Sequence, residues 1–147
     1  MKRILVAVDR SEPSLRAVDL AADVAQKYGA TLLLVTAILD IPRPDPGLEA
    51  YAESEHIKES PVMLQIEGVR NALSEVRNRA VARGAQDVSV SVVIGDPAEQ
   101  ILANSKDNQV DLIVMGSRGH GRLAGLLLGS VTQKVVGLAL CPVLVVH

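Results

Sequence analysis

Residues 110–119 read VDLIVMGSRG and residues 128–131 read LGSV, and this stretch indicates the fold more clearly than any other part of the chain. Its apolar run predicts a buried strand, its glycines predict a loop, and Gly129-Ser130 predicts the start of a helix. A glycine-rich loop between a strand and a helix suits phosphate, because glycine lets the backbone approach a ligand and helix N-termini favour anions. The alternative interpretation is a glycine-rich connection that only turns the chain.

Charge around this stretch is one-sided. Residues 112–147 contain no Asp or Glu, whereas Arg118, Arg122 and Lys134 are present. A segment that carries only positive charge attracts phosphate. Arg118, Arg122 and His120, which lies between them, either contact phosphate or are solvated in the loop.

Upstream of this stretch, apolar strands alternate with amphipathic helices. Strands are predicted at residues 4–8, 31–39, 88–94, 110–115 and 142–146. Helices are predicted to begin at Ser11, Ser60-Pro61, Asp96 and Ser130, the last two with capping boxes. Gly29 is predicted to end the first of these helices. The alternation predicts an α/β fold, with one domain over residues 1–147 and a mostly parallel sheet covered by helices on both faces. Because ligands bind beyond the carboxyl ends of such strands, we expect Asp9 and Gly116 to share one crevice.

Residues 40–60 interrupt the alternation. Pro42, Pro44, Pro46 and Gly47 predict an irregular loop. Loops of this length in a compact domain are usually mobile or functional. The segment is therefore predicted to be a mobile insert, with a lid over the ligand as the alternative.

Composition and charge exclude several classes of function. The chain has 147 residues and lacks Phe and Trp, which argues against single-stranded nucleic acid, since its bases usually stack on aromatic rings. The net charge of −2 argues against duplex DNA. No uncharged stretch reaches the roughly 20 residues of a membrane helix, and the apolar run after the basic N-terminus is too short for a signal peptide. The sequence predicts a cytoplasmic protein without a nucleic-acid or membrane partner.

Other chemical motifs are incomplete. Residues 119–124 match a GxGxxA dinucleotide fingerprint, but the acidic residue required about 20 positions later is missing. The three histidines are not at metal-ligand spacing, and no GxSxG motif occurs. Cys141, the single cysteine, is either a small buried hydrophobe or a reactive thiol. Asp9, after the first strand, is either a carboxylate for a ribose hydroxyl or Mg²⁺, or a turn residue.

Taken together, these motifs resemble the universal stress protein family over nearly the whole chain. The resemblance rests on residues 6–11, Gly95-Asp96-Pro97, residues 111–116, the spacing of Gly116, Gly119 and Gly129-Ser130, and residues 141–146. The glycine spacing is similar to that of the ATP-binding branch. The resemblance implies a Rossmann-like, five-stranded parallel sheet in the order 3-2-1-4-5.

The resemblance also implies a ligand, a metal and an assembly. The ligand would be ATP with Mg²⁺ or Mn²⁺, and Asp9 would lie beside the nucleotide and its metal. Ala7 and Ala37 would lie near the adenosine. The ribose and phosphates would be lined by Met115, Gly116, Gly119, Gly129, Ser130 and Val131. Arg10 stands where many members have glycine.

Members of the family are commonly homodimers joined through the last strand. In this chain that strand would be Val143–Val146, which is apolar and would be exposed at its edge if it were unpaired. An adenine nucleotide and a second copy of the chain are thus the expected partners.

Three functions are compatible with the sequence. The first is a regulatory stress-response module that binds ATP, the second a slow ATPase or adenylate-transferring enzyme, and the third a scaffold whose glycine loop is empty. No base positioned to activate water is identifiable, so efficient turnover is not predicted. The SGGxDS-like loop of related pyrophosphatase-type enzymes is absent, because residues 9–12 read DRSE.

Overall fold

Apolar runs of the sequence form the five strands of a single parallel sheet in a computed structural model, which describes residues 1–39, 46–55, 61–119 and 128–147. The strands are β1 (Arg3–Ala7), β2 (Thr31–Ile38), β3 (Val88–Ile94), β4 (Leu112–Gly116) and β5 (Val143–Val146). Their order across the sheet is β3-β2-β1-β4-β5, and every neighbouring pair is parallel. The predicted fold class and strand order are confirmed.

Helices cover both faces of this sheet. They are α1 (Glu12–Tyr28), α2 (Pro46–Ser54), α3 (Pro61–Ala82), α4 (Pro97–Asp107) and α5 (Ser130–Leu138). Buried residues of α1 and α3 pack with Ile4 and Val6 on one face, whereas those of α4 and α5 pack with Leu5 and Ile113 on the other. Successive residues of β1 are therefore buried on opposite faces, which explains its continuous apolar run.

Helix α1 begins and ends at the residues predicted from its sequence. Ser11 is the N-cap, and its hydroxyl oxygen accepts a hydrogen bond from the backbone N–H of Ser14. Gly29 is the C-cap with a φ of 62°, in the left-handed region that glycine adopts readily. These local signals place the first turn of α1 directly after the carboxyl end of β1.

Part of the predicted irregular loop is helical. Pro46–Ser54 forms α2, which contradicts the prediction of an irregular loop for those residues. Pro46 and Gly47 lie in the first turn, where the N–H groups have no partner in the helix and proline is tolerated. Residues 40–45 and 56–60 lie outside the described residues, so the mobile insert and the lid stay predictions.

The predicted capping box at Ser130 is wrong. Gly129 is the N-cap of α5 and Ser130 is the first helical residue. In the predicted box, the side-chain oxygen of Gln133 would accept from the N–H of Ser130. In the structure, the side-chain NH2 of Gln133 donates to the carbonyl of Leu128 at 2.9 Å. The cap N–H of Gly129 already donates to the carbonyl of Ser117 at 2.7 Å, so it needs no side-chain acceptor.

Candidate functional site

A cavity of about 280 Å³ opens at the carboxyl edge of the sheet. All nine residues singled out from the sequence line it: Ala7, Asp9, Ala37, Met115, Gly116, Gly119, Gly129, Ser130 and Val131. The other lining residues are Val8, Ser14, Val35, Pro97, Ile101, Arg118, Leu128 and Thr132. The expected crevice shared by Asp9 and Gly116 is present, because β1 and β4 are adjacent and their carboxyl ends lie together.

The floor of the cavity is apolar. Ala7, the last residue of β1, pairs with Val35 on β2 and with Met115 on β4, so one side chain from each of three adjacent strands lies in a row. Ala37 continues the row along β2, and Ile101 reaches the cavity from α4. The methyl groups of the two alanines leave room that a larger side chain would fill, and the surface suits a flat apolar ring.

The junction between β1 and α1 supplies a carboxylate. Asp9 Oδ1 accepts hydrogen bonds from the backbone N–H of Ser11 at 2.9 Å and from its hydroxyl at 2.6 Å. One oxygen of Asp9 therefore serves the turn, as the alternative interpretation expected. The other oxygen, Oδ2, lies so close to Gly119 that a Cβ atom added there would collide with it. The carboxylate thus joins the turn to the glycine loop.

Arg10 adopts an unusual backbone conformation in the same junction. Its φ is 64°, in the left-handed region, where a side chain costs about 1–2 kcal/mol. Glycine would avoid this cost.

Gly116 is required by packing. A Cβ atom at this position would lie 2.8 Å from the backbone nitrogen of Ser14 and 2.9 Å from the carbonyl carbon of Pro13. The φ of Gly116 is not among the positive values, so packing, and not backbone conformation, requires glycine at this position. Its glycine lets the end of β4 lie directly against the first turn of α1.

Neither the backbone conformation of Gly129 nor the described residues around it require a glycine at this position. Its φ of −68° and ψ of 160° are accessible to any residue. A Cβ atom would meet its nearest neighbour, the Cα of Arg118, at 3.4 Å and would lie 3.7 Å from the backbone nitrogen of Gly119. The missing side chain therefore keeps the space over a main-chain amide of the loop open.

The start of α5 presents main-chain amides at the cavity. Ser130, Val131 and Thr132 form its first turn and line the cavity. The N–H groups of a first turn have no acceptor within the helix, and the helix dipole makes this end favourable for an anion. Gly129 makes no side-chain cap hydrogen bond at this end.

The positive charge near the cavity is smaller than the sequence suggests. Arg118 lines the cavity, but Lys134 pairs with Asp96 at 3.2 Å and with Glu99 at 3.3 Å on the neighbouring helix. Asp96, followed by Glu99, raises the pKa of Lys134. Because its charge is paired, Lys134 contributes less to phosphate attraction than the sequence predicts. Arg122 and His120 lie outside the described residues.

The donors present fit a cation that is shared with phosphate. Among the cavity-lining residues that the structure describes, Asp9 is the single carboxylate, and the described part of the chain holds no group of three His, Cys, Asp or Glu side chains placed for a metal. Mg²⁺ at nucleotide sites takes one or two protein carboxylates and completes its shell with phosphate oxygens and water. Asp9 has the right chemistry for such an ion, whereas a metal cage made of protein groups alone is not formed by these residues.

Cys141 lies outside the cavity. Its side chain is half-buried and packs against the core formed with α4 and α5. Burial raises the pKa of the Cys141 thiol, which lowers the fraction of reactive thiolate. These observations favour the interpretation as a small hydrophobe. Across the described residues, no helix has the length and apolar character required to span a membrane.

The fold and the cavity define a doubly wound α/β protein with a cavity beyond the carboxyl ends of its strands, where proteins of this class bind ligands. The chain belongs to the universal stress protein family, whose family model matches residues 1–147. It is 39% identical over 150 residues to a universal stress protein of Thermus aquaticus, covering 99% of this chain and 98% of the relative. It is 34% identical over 147 residues to universal stress protein YxiE of Bacillus subtilis (strain 168), covering 99% and 98%.

A solved structure extends the comparison. A crystal structure of a universal stress protein in complex with cAMP is similar to this chain, with a TM-score of 0.72 and 31% sequence identity. The similarity covers 99% of this chain and 96% of that one.

Proposed function

We propose that this protein is a regulatory module that binds an adenine nucleotide, with ATP and Mg²⁺ as its preferred ligands. The observation that carries the proposal is the cavity in which the first turn of α5 meets Asp9. Gly129 supports it further, because neither its φ and ψ nor its neighbours require glycine. Close approach of a ligand to main-chain amides gives this glycine a reason.

Each end of the cavity suits one end of the nucleotide. The row of Ala7, Val35 and Met115 offers an apolar surface to a base. The amides of Ser130 and Val131 offer donors to phosphate, at the end of the cavity where α5 begins. The adenine class is supported by the similar universal stress protein that was crystallised with cAMP.

Asp9 would hold the cation that accompanies the phosphates. It lines the cavity, and its Oδ2 lies beside Gly119 in the glycine loop. A bound Mg²⁺ would offset phosphate charge at this point, and Asp9 would supply one oxygen ligand. Residues Met115, Gly116 and Val131 would complete the wall around the ribose and phosphates.

A binding module is favoured over an enzyme because few of the described lining residues could act as a general base. Among the described lining residues, Asp9 is the one titratable group that could act as a base, and one of its oxygens already accepts two hydrogen bonds from Ser11. The second candidate function, a slow ATPase, rests on this same carboxylate. We therefore infer that occupancy of the site by nucleotide, more than turnover, carries the signal.

We also propose that the protein is a homodimer in which β5 pairs with the same strand of a second copy. Val143–Val146 lies at one edge of the sheet, and its four residues are half-buried. An apolar edge strand with unpaired main-chain groups is a template for another strand. Light scattering of the wild-type protein tests this: a monomer in solution would argue against the strand pairing.

Nucleotide release is the first test of the function. The protein is purified without added nucleotide and denatured, and the released small molecules are identified by mass spectrometry. We expect ATP or ADP at close to one per chain, or, if the protein is purified empty, binding of added ATP by calorimetry. A protein that is empty and binds no adenine nucleotide would support the scaffold instead.

Asp9→Asn separates the role of the carboxylate in the turn from its role toward the metal. Asparagine keeps an oxygen that can accept from the N–H and hydroxyl of Ser11, but it removes the negative charge. We expect Mg²⁺ to increase the affinity of the wild-type protein for ATP and to have little effect on the variant. Turnover measured in both proteins distinguishes the module from the slow ATPase, since hydrolysis that depends on Asp9 would favour the enzyme.

A further inference from the structure

Thr132 makes a buried hydrogen bond at the start of α5. The residue is 3% exposed and lines the cavity. Its Oγ1 donates to the main-chain carbonyl of Gly116 at 2.9 Å. Because Gly116 packs directly on the backbone of Pro13 and Ser14, this bond attaches α5 to a closely packed point of the structure.

A second hydrogen bond holds the residue before the helix. The N–H of Gly129 donates to the carbonyl of Ser117 at 2.7 Å. The start of α5 is thus attached at two points, Gly129 and Thr132, to consecutive residues at the end of β4. Gly129 provides no side-chain cap, and these two hydrogen bonds join the start of α5 to the end of β4.

The direction of the Thr132 bond determines what the side chain can do. A hydroxyl has one proton, and the proton of Thr132 is donated to Gly116. What remains toward the cavity are lone pairs, which do not bind the acceptor oxygens of phosphate. A variant without the hydroxyl would lose this buried hydrogen bond between α5 and the end of β4, which favours movement of the helix start.

We infer that Thr132 is a positioning residue, which holds the first-turn amides of α5 at the place that the phosphates of a bound nucleotide require. The inference rests on the proposed function and names a residue that acts through the neighbouring amides. It predicts a loss that is confined to the phosphate part of the ligand.

The test compares ATP with adenosine. Thr132→Val replaces the hydroxyl by a methyl group of similar size, and Thr132→Ser keeps the hydroxyl. Thr132→Ala removes the hydroxyl without placing a methyl group against the carbonyl, so the measurement does not depend on how valine packs. Ser105→Ala is the matched control, because it removes a buried hydroxyl that donates to the carbonyl of Leu102 at 2.8 Å, away from the cavity.

Calorimetry of each variant, with thermal melting to check the fold, gives the outcome. We expect Thr132→Val and Thr132→Ala to lower the affinity for ATP by at least about tenfold and to leave the affinity for adenosine unchanged. Thr132→Ser and Ser105→Ala should keep both affinities. Equal losses for ATP and adenosine, or an unchanged affinity for ATP, would overturn the positioning role. A wild-type protein that binds neither ligand would instead overturn the proposed function.

Discussion

Two helices begin at the cavity with the same backbone geometry and different side chains. The N-cap of α1, Ser11, has φ −67° and ψ 157°, and the N-cap of α5, Gly129, has φ −68° and ψ 160°. The hydroxyl of Ser11 accepts from the amide of Ser14, so α1 satisfies one of its own amides. Gly129 has no such group, and α5 leaves its first amides to another acceptor. Under the proposed function, the glycine at the cap of α5 keeps these amides available to a ligand, although its backbone conformation does not require glycine.

The largest expected effect comes from giving α5 the cap that α1 has. In Gly129→Asp, a carboxylate would take an amide of the first turn and repel phosphate, so the affinity for ATP should fall by at least about a hundredfold, or roughly 2.7 kcal/mol. Gly129→Ser adds the cap without the charge and should have a smaller effect of the same sign. Both variants should unfold at the urea concentration of the wild type or above it, since a side-chain cap stabilises a helix. Normal binding of ATP by Gly129→Asp would show that the phosphates do not bind at the start of α5.

Gly116 is the second glycine to compare, because here the neighbouring atoms leave no room for a side chain. In Gly116→Ala, the Cβ atom would meet the backbone of Pro13 and Ser14 at 2.8–2.9 Å. We expect a loss of about 1–3 kcal/mol in the free energy of unfolding, measured with urea. Gly129→Ala, with its nearest neighbour at 3.4 Å, is the control and should lose less. Equal stability of the two alanine variants would contradict the distinction between a packing glycine and a ligand glycine.

Removing the cap of α1 should affect stability more than binding. Ser11→Ala deletes the acceptor for the amide of Ser14 and the hydroxyl that donates to Asp9, and we expect a loss of about 1 kcal/mol in stability. The backbone N–H of Ser11 still donates to Asp9, so the carboxylate keeps one of its bonds. The affinity for ATP should therefore fall less than in Gly129→Ser. A larger loss of affinity in Ser11→Ala would mean that the two junctions have been assigned the wrong roles.

Features that depend on residues close together in the chain could be predicted from the sequence. The apolar runs predicted the strands, and Ser11 and Gly29 predicted the start and end of α1, because capping depends on neighbouring residues. The resemblance to the family added the strand order. Val35 could also have been found in the sequence, since it lies two residues before Ala37 on the same face of β2.

Features that depend on distant contacts could not be predicted. The need for glycine at position 116 comes from the close approach of α1, and the charge of Lys134 is paired with carboxylates of α4 or its cap. Neither contact can be recognised from the residues next to it in the sequence. Thr132 reaches the cavity because of how α5 is rotated against β4, which capping rules do not specify. Helix α2 was missed for another reason: Pro46 and Gly47 indicate a loop, yet both fit the first turn of a helix.

Arg10 tests the backbone of the β1–α1 junction directly. With φ at 64°, Arg10→Gly should relieve the cost of a side chain in the left-handed region. Glycine also gives the unfolded chain more freedom, so we expect a net gain of only about 0.5 kcal/mol in the free energy of unfolding. Arg10→Ala is the control, because it removes the charge and keeps the Cβ atom, and it should show no such gain. A gain of equal size in Arg10→Ala would point to charge as the cause.

The start of α4, which is capped by a carboxylate, should lose stability in acid more than the start of α1, which is capped by a hydroxyl. Asp96 accepts from the N–H of Glu99, and this bond, followed by Lys134, holds the pKa of Asp96 below its usual value of 3.8. A carboxyl whose pKa is lowered by folding stabilises the protein above that value, and the contribution is lost as the pH falls through the lower folded pKa. The hydroxyl of Ser11 does not titrate in this range.

Hydrogen exchange can follow both caps in one experiment. As the pH falls from 5 to about 2, the protection factor of the Glu99 amide should decrease, whereas that of Ser14 should decrease less, because its acceptor is a hydroxyl and not a carboxylate. In Asp96→Asn, which can cap without a charge, the decrease at Glu99 should be absent. An unchanged decrease in this variant would assign the acid sensitivity of α4 to another carboxylate, and parallel decreases at Glu99 and Ser14 would mean that the caps do not act independently.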